Sequence, residues 1–400
     1  MKVLLGISGG IAAYKACEIV RAFKKRGDAV RVVMTSGAQE FVRPLTLQIL
    51  SENPVGTETF DATFEHEIGH IDLARWADVV LLAPATANLI GRLAGGLAND
   101  LLTTVLLATE APVVVAPAMN TQMWRHPLVQ RNLDILRDEA GYAVVDPDAG
   151  ELACKEVGPG RLPDAPVLLD AADAAVAPQI LAGKKVVVTA GPTREHIDPA
   201  RFISNPSTGR MGFELARAAR VMGAEVVLIS GPTGLEPPLG VGLVEVTSAV
   251  EMHEAVFAEC DAADFVCKAA AVCDIRPSEA SEQKCAKSTL DDSLELERNP
   301  DILADLGAQY GAQPDGPLLI GFAAESRDVV ERGKKKRARK GAHMMVANKI
   351  GGADSAFGAE RSQITIISDD DVTKFGPASK YELAGDIWRA AVELNNRREK

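Results

Sequence analysis

The residues able to do chemistry in this chain come in short polar clusters, each directly after an apolar run. Ser8-Gly9-Gly10 follows Lys2–Ile7, and Thr35-Ser36-Gly37 follows Val30–Met34. Pro84-Ala-Thr-Ala-Asn88 follows Val79–Ala83, and Pro117-Ala-Met119-Asn120 follows Val113–Ala116. A glycine pair between a strand and a helix suits phosphate, because helix N-terminal amides point at the anion. Such a turn also serves wherever the backbone needs positive φ. The hydroxyls of Thr35 and Ser36 add donors at the same edge. Asn88, Asn99 and Asn120 can hydrogen-bond a flat heteroaromatic ring and an amide-bearing substrate, or simply cap turns. His70 is either a base working near neutral pH or a structural histidine. Cys154 lies on a loop among glycines and prolines, whereas inert buried cysteines sit in apolar elements.

The second half repeats the pattern with more charge. Ile203-Ser-Asn205-Pro-Ser-Thr-Gly-Arg-Met-Gly212 is a small-residue loop opening a helix, able to hold phosphate or to be capped by Ser207 or Thr208. The run Asp264–Val272 reads as a strand ending in Ala269-Ala270-Ala271, with Asp274 just beyond. Small side chains there let a nucleotide approach the backbone, and Asp274 can read a base edge or ribose. Lys284 and Lys287 flank a polar loop, and Asn299-Pro300-Asp301-Ile302 opens a helix. Gly333–Lys340 packs six cations into eight residues, either a solvated helix face or a site for a triphosphate.

The elements that must position these clusters are strand, turn, helix and strand, begun once at the N-terminus and again at Lys184. Helices are expected over Ala12–Lys25, stopped at Gly27, and over the stretch from Phe213 to Val221. Ligands in such sheets bind at the carboxyl edge. The expected fold is therefore α/β, with two doubly wound parallel-sheet domains. The Ala- and Pro-bearing stretch 164–183 reads as a closing helix and link, placing the boundary near 182, with domains at 1–182 and 183–400.

Four hundred residues, 47% hydrophobic and 24% charged, describe an ordinary globular chain of more than one domain. A net charge of −12 argues against nucleic-acid binding. Six cysteines at 17, 154, 260, 267, 273 and 285 show no pairing framework and no CxxC metal spacing, which points to reduced thiols. The first apolar run is too short for a signal peptide, and Glu110 and Pro112 break the longest apolar stretch. The expectation is a cytoplasmic protein without membrane contact.

GISGGIAAYK, HIDLARWAD, APATANLIGRLAGGLANDLLT, PAMNTQMW and GELACKEVGPGRLPD occur in this order over residues 1–180. This half resembles the flavin-containing cysteine decarboxylases of coenzyme A biosynthesis. The resemblance implies FMN on a flavodoxin-like sheet, held by Gly9, Gly10, Thr35, Ser36, Thr86, Ala87, Asn88 and Met119. It further implies His70 in the active site, Asn120 on the substrate carboxylate, and Cys154 as proton donor on a flap. The chemistry accounts for these types. Direct decarboxylation of a cysteine amide leaves a carbanion without an electron sink. FMN can first take two electrons from the thiol carbon and return them after CO2 leaves. A thiol then suits the final protonation of carbon.

TAGPTREHIDPARFISNPSTGRMG, KAAAVCDIRP, NPDI, GFAAES and KKRARK cover about 184–395 and resemble phosphopantothenate–cysteine ligase, the partner activity fused to the decarboxylase in bacteria. The resemblance implies CTP binding by Ala269–Ala271, Asp274, Pro300, Asp301, Ile302, Leu303, Phe322, Lys336 and Lys340. It places Asn205 near an acyl phosphate and Lys284 in the active-site loop, with Mg2+ as the metal and its ligands unassigned. Cys273 and Ile275 stand where this family has Ala and an aromatic, Lys284-Cys-Ala-Lys287 replaces a KIKK run, and Arg210 replaces a commoner Lys.

The combined expectation is a bifunctional enzyme. It joins 4′-phosphopantothenate to L-cysteine through an acyl-cytidylate, then decarboxylates the product to 4′-phosphopantetheine. The decarboxylase resemblance also implies a homo-oligomer built from trimers, a dodecamer among the expected forms. Two rivals are a flavodoxin-like electron-transfer or binding module fused to a regulatory nucleotide domain, and an NAD dehydrogenase. The second lacks a GxGxxG with its acidic partner.

Overall fold

The computed structural model describes residues 1–59, 69–151, 156–285, 293–325, 327–349, 361–369 and 371–399. It divides into two compact units, Met1–Ala177 and Pro178–Lys400. The division falls five residues before the position expected from the Pro- and Ala-bearing link.

In the first unit, β1 (Lys2–Ile7), β2 (Ala29–Met34), β3 (Val55–Gly56), β4 (Val79–Ala85), β5 (Val113–Pro117) and β6 (Ala143–Val144) form one parallel sheet. Its order is β3-β2-β1-β4-β5-β6. Without the two-residue β3, the remaining strands follow the flavodoxin order, and the winding reverses between β1 and β4. The strands are apolar on both faces because helices cover both. Val3, Leu5 and Ile7 point into one core cluster and Leu4 into the other. β4 divides likewise, with Val79, Leu81 and Ala83 on one side and Val80 and Leu82 on the other. Truncating a fully buried Leu81 to Ala should cost about 2–5 kcal/mol. The first helical segment differs from the periodicity reading: Ile11–Lys15 is a 3₁₀ turn, and the α-helix runs Ala16–Arg26 before Gly27 ends it. After β6 the hairpin of β7 (Asp148–Glu151) and β8 (Val157–Arg161) precedes the closing helix Ala165–Val176.

The second unit begins with β9 (Lys185–Ala190), the hairpin β10 (Arg194–Asp198) and β11 (Arg201–Ser204), then β12 (Glu225–Ser230) and β13 (Gly242–Glu245). β14 (Phe265–Lys268), the pair β15 (Ile275–Pro277) and β16 (Leu296–Arg298), β17 (Leu318–Glu325), β18 (Met344–Lys349), β19 (Arg361–Ile367) and β20 (Val372–Ser379) follow. The main sheet runs β13-β12-β9-β14-β17-β18-β19-β20. Its first six strands are parallel, in the order usual for dinucleotide folds, with reversal between β9 and β14. The parallel sheet then gains two antiparallel strands, β19 and β20, which sequence reading did not include.

The helix Arg210–Val221 packs through Phe213, Leu215, Ala216 and Ala219, and the C-terminal helix Lys380–Arg398 through Trp388. Trp388 is fully buried, meets Phe265 edge-on and donates its indole N–H to the Leu215 carbonyl at 2.9 Å. A polar handle satisfied in this way lets so large a ring fill the core.

Candidate active sites

Four turns of the first sheet converge where the winding reverses. They line a cleft of about 980 Å³. Gly9, Gly10, Thr35, Ser36, Thr86, Ala87, Asn88, Met119 and Asn120 all line it, as does Asn99. Backbone contact holds the turns together: a Cβ on Gly9 would come within 2.6 Å of the Gly37 carbonyl carbon. Ser8 ties the first turn to the third, donating its hydroxyl to the Pro84 carbonyl at 2.8 Å and accepting the Thr86 N–H at 2.8 Å. Thr35 and Thr86 each cap the helix that follows, so their hydroxyls are already used as acceptors at the cleft edge.

Asn120 caps the short helix Thr121–Trp124 through Oδ1, which accepts from Gln122 N–H at 2.8 Å. Its Nδ2 donates to Glu156 at 2.7 Å. Glu151 lines the cleft, so both ends of the segment that carries Cys154 reach this site. Cys154 itself lies outside the described residues. His70 opens the helix His70–Trp76 and is half-buried, and it is not among the residues lining the cleft.

Lys15, Arg92 and Asp100 line the cleft and lie within motifs of the first half, yet the resemblance assigns them no role. Lys15 donates to Asp164 at 2.7 Å and holds that carboxyl below the usual range. Arg92 bridges Asn99 at 2.8 Å and Asp100 at 2.6 Å. Asp100 is held low despite its burial, by Thr103 and by Arg92. Only the spacing of Arg92 ahead of Asn99-Asp100 on one helical hairpin could have signalled it.

In the second unit the turns after β9, β12 and β14 meet in the same manner. Gly191 and Gly209 both have φ near +75°, at 74° and 77°, and a Cβ on Gly209 would lie 3.3 Å from the Gly191 backbone. Neither Ser207 nor Thr208 caps the helix Arg210–Val221. Gly209 stands at the cap with no side-chain bond, and Ser207 Oγ accepts from Gly209 N–H at 3.3 Å.

β14 ends at Lys268, four residues before the expected Val272. Beyond it the amides leave the ladder: Ala270 N–H goes to Thr189 Oγ1 at 3.1 Å and Ala271 N–H to the Gly191 carbonyl at 2.9 Å. Asn205 donates to the Ala271 and Val272 carbonyls at 3.2 and 3.1 Å. Asn299 fixes the next two residues, giving Nδ2–H to the Cys273 carbonyl and N–H to the Asp274 carbonyl. Asp274 is thereby held at the exposed rim.

Asp301 caps the helix Ile302–Tyr310 and accepts from Lys340 at 2.9 Å. This salt bridge and the Ala304 N–H hold its carboxyl low against the effect of burial. Ile302 and Leu303 are core residues, 1% and 2% exposed, so they can present only backbone to a ligand. Phe322 is half-buried on β17 beside the core.

The basic run divides by face along the helix Val329–Arg339. Lys336 and its i+4 neighbour Lys340 turn inward, while Lys334, Lys335 and Arg339 are exposed. Arg337 is structural, bound to Asp369 and to the Ala342 carbonyl. Burial, and Lys340 after it, push the Lys336 ammonium down. Lys284 is exposed at the end of a described stretch that is anchored through Cys285, whose N–H donates to Asp198 at 3.2 Å. Arg201 pairs with the buried Asp198 and donates to the Cys285 carbonyl at 3.0 Å. Lys287 lies outside the described residues.

No group of three or more His, Cys, Asp or Glu side chains suited to a metal occurs among the described residues. No helix among them is long and apolar enough to cross a membrane.

Residues 1–177 match the Flavoprotein family model, and residues 181–394 match the DNA/pantothenate metabolism flavoprotein C-terminal domain. The coenzyme A biosynthesis bifunctional protein CoaBC of Vibrio cholerae is 47% identical over 394 residues, covering 98% of each chain. That of Bacillus subtilis is 45% identical over 398 residues, covering 98% of this chain and 97% of the relative. Among solved structures, the C-terminal domain of a CoaBC protein is 39% identical with a TM-score of 0.46, covering 55% of this chain and 99% of that one. A mutant PPC decarboxylase complexed with pantothenoylaminoethenethiol is 36% identical with a TM-score of 0.36, covering 41% and 91%. The chain belongs to the family of bifunctional coenzyme A biosynthesis proteins, enzymes that unite a phosphopantothenoylcysteine decarboxylase with a phosphopantothenate–cysteine ligase.

Proposed function

We propose that the first unit, with FMN, decarboxylates the phosphopantothenoylcysteine that the second unit makes from 4′-phosphopantothenate, L-cysteine and CTP. The observation that carries this reading is the cleft of the first unit, where four polar turns meet on one wall of suitable size. Gly9, Gly10, Thr35 and Ser36 offer amides and hydroxyls for a single phosphate, and Thr86, Ala87, Asn88 and Met119 offer a flat polar edge for a ring. The donor set fits FMN. When bound, FMN supplies a two-electron acceptor and donor.

The chain's own residues do the rest. Asn120 orients the substrate carboxylate, which would take the place now held by the Glu156 carboxylate on Nδ2. His70 accepts a proton from the substrate, and Cys154 delivers one to carbon after CO2 has left.

In the second unit, Ala269–Ala271, Asp274 and the Pro300–Leu303 backbone receive the nucleotide beside Phe322, and Lys336 and Lys340 face its phosphates. Asn205 stabilises the loop against which the acyl phosphate forms, and Lys284 reaches it from the neighbouring loop. Mg2+ would arrive with the triphosphate, as it commonly does. The active form is a homo-oligomer.

Mass analysis of the full chain incubated with 4′-phosphopantothenate, L-cysteine, CTP and Mg2+ tests the reading. It should show CMP, pyrophosphate, CO2 and 4′-phosphopantetheine. A flavin-loaded protein that forms none of these would favour an electron-transfer module with a regulatory nucleotide domain.

A further inference from the structure

Lys268 has no role in the assignments above, yet it ends β14 beside the second site. Strand alternation puts it on the face of Val266, whose cluster includes Ile302 and Leu306. The side chain is half-buried, and its ammonium donates to the Ala270 carbonyl at 3.3 Å. Its neighbours in register on the flanking strands are Thr189 and Gly321, neither of them charged. The charged groups facing it come from elsewhere: Lys336 and Lys340 from the basic helix and its end, Asp301 from the cap of Ile302–Tyr310, and Asp274 from the loop after β14.

Three half-buried ammonium groups thus face two exposed carboxylates, and Lys340 already engages Asp301 at 2.9 Å. Burial first, then Lys340 and Lys336, push Lys268 down to about 8. Without a ligand the cluster resists its last proton; an arriving triphosphate reverses that preference, because an opposite charge favours the protonated amine.

We propose that Lys268 is a further phosphate-binding residue of the nucleotide site and takes up a proton from solvent as the triphosphate arrives. No bond in the nucleotide changes in this step; the proton passes to Nζ, and the ammonium then spans the Ala270 carbonyl and a phosphate oxygen. It thereby fixes the Ala269–Ala271 segment against the nucleotide. The inference rests on the reading of the second unit as a CTP site.

Calorimetric titration of the full chain with CTP and Mg2+, in buffers of different ionisation enthalpy, reads the protons exchanged. At pH 8 a terminal phosphate, whose second pKa is about 6, is fully ionised, so uptake reports on the protein. Uptake should be about half a proton per CTP at pH 8 and about a tenth at pH 7, as a lysine titrating near 8 requires. Lys268→Arg should keep CTP binding at pH 7 and lose most of the uptake, because Arg is charged throughout. Lys268→Met should weaken CTP binding at pH 7 about tenfold or more. CTP binding without uptake by the natural chain at pH 8, or undiminished uptake by Lys268→Arg, would overturn the proposal. Absence of any CTP binding by the natural chain would overturn the nucleotide reading itself.

Discussion

The two sites occupy the same place on their sheets, the carboxyl edge where the winding reverses, but they are made of different groups. The first cleft is lined largely by amides, hydroxyls and carboxamides, and of its cations Lys15, Arg92 and Arg161, Lys15 pairs with Asp164 beyond the lining and Arg92 with Asp100. The second gathers Lys268, Lys336 and Lys340, two of which are pushed below the ordinary lysine range. A cofactor with one phosphate and a large ring is well served by neutral donors and shape. On the CTP reading proposed above, a triphosphate would meet cations only partly satisfied beforehand, Lys340 by Asp301 and Lys268 by the Ala270 carbonyl. One sheet edge can therefore be specialised by the side chains at its rim without a change of winding.

The largest separation of the two sites should come from Cys154. Cys154→Ser should retain FMN and oxidise the substrate, but accumulate a product short of two hydrogens, about 2 Da light by mass spectrometry. A hydroxyl is a far weaker acid than a thiol of pKa ~8.5, so proton delivery to carbon fails while shape is kept. Saturated product at the natural rate would make Cys154 a bystander. His70→Asn should instead leave the substrate with its carboxylate.

On the other side of the comparison, Lys284→Gln should sharply reduce ligation while supplied phosphopantothenoylcysteine is decarboxylated as before. Full ligation would pass the role to Lys287 or Arg210. Lys336→Ala and Lys340→Ala should each raise the KM for CTP roughly ten- to a hundredfold, the loss of a charge-assisted contact of about 1.5–3 kcal/mol. Unchanged CTP dependence in both would return the basic helix to a solvated face.

The smallest effect concerns pH and stability. His343 Nδ1 accepts from Leu319 N–H at 2.9 Å, so this histidine must stay neutral in the fold. Burial first, then Arg398, lower it from 6.5 to about 4. The unfolded chain therefore binds a proton that the folded unit refuses, and the second unit should lose stability as pH falls from about 6.5 toward 4. Unfolding followed by the second unit's Trp388 should show this slope, and His343→Gln should flatten it. An equal slope in the variant would assign the effect to other groups.

Much of this organisation can be read from residue order. Gly9-Gly10, Thr35-Ser36 and Thr86–Asn88 each follow a β-branched or leucine-rich run, so their common edge follows from the parallel sheet alone. The same reasoning brings Ala269–Ala271 to the carboxyl edge, although it carries β14 too far, since Thr189 Oγ1 and the Gly191 carbonyl divert the amides. Lys268 is inconspicuous in sequence because the run Asp264–Val272 reads as one strand, which makes it an ordinary strand-interior residue. Its meaning comes from Asp301, Lys336 and Lys340, which only folding brings near. The antiparallel strands β19 and β20 escape for a similar reason, since Gly376-Pro377 interrupts the alternation of β20. Ser207 and Thr208 look like caps, yet Gly209 at positive φ takes that place.

The central claim is that each unit owns a complete site, and a fragment of residues 1–177 tests it most directly. Purified and supplied with phosphopantothenoylcysteine, the fragment should be yellow, release FMN on denaturation, and evolve CO2 without CTP. A folded fragment that lacks flavin, or one that decarboxylates only when residues 178–400 are added back, would contradict it.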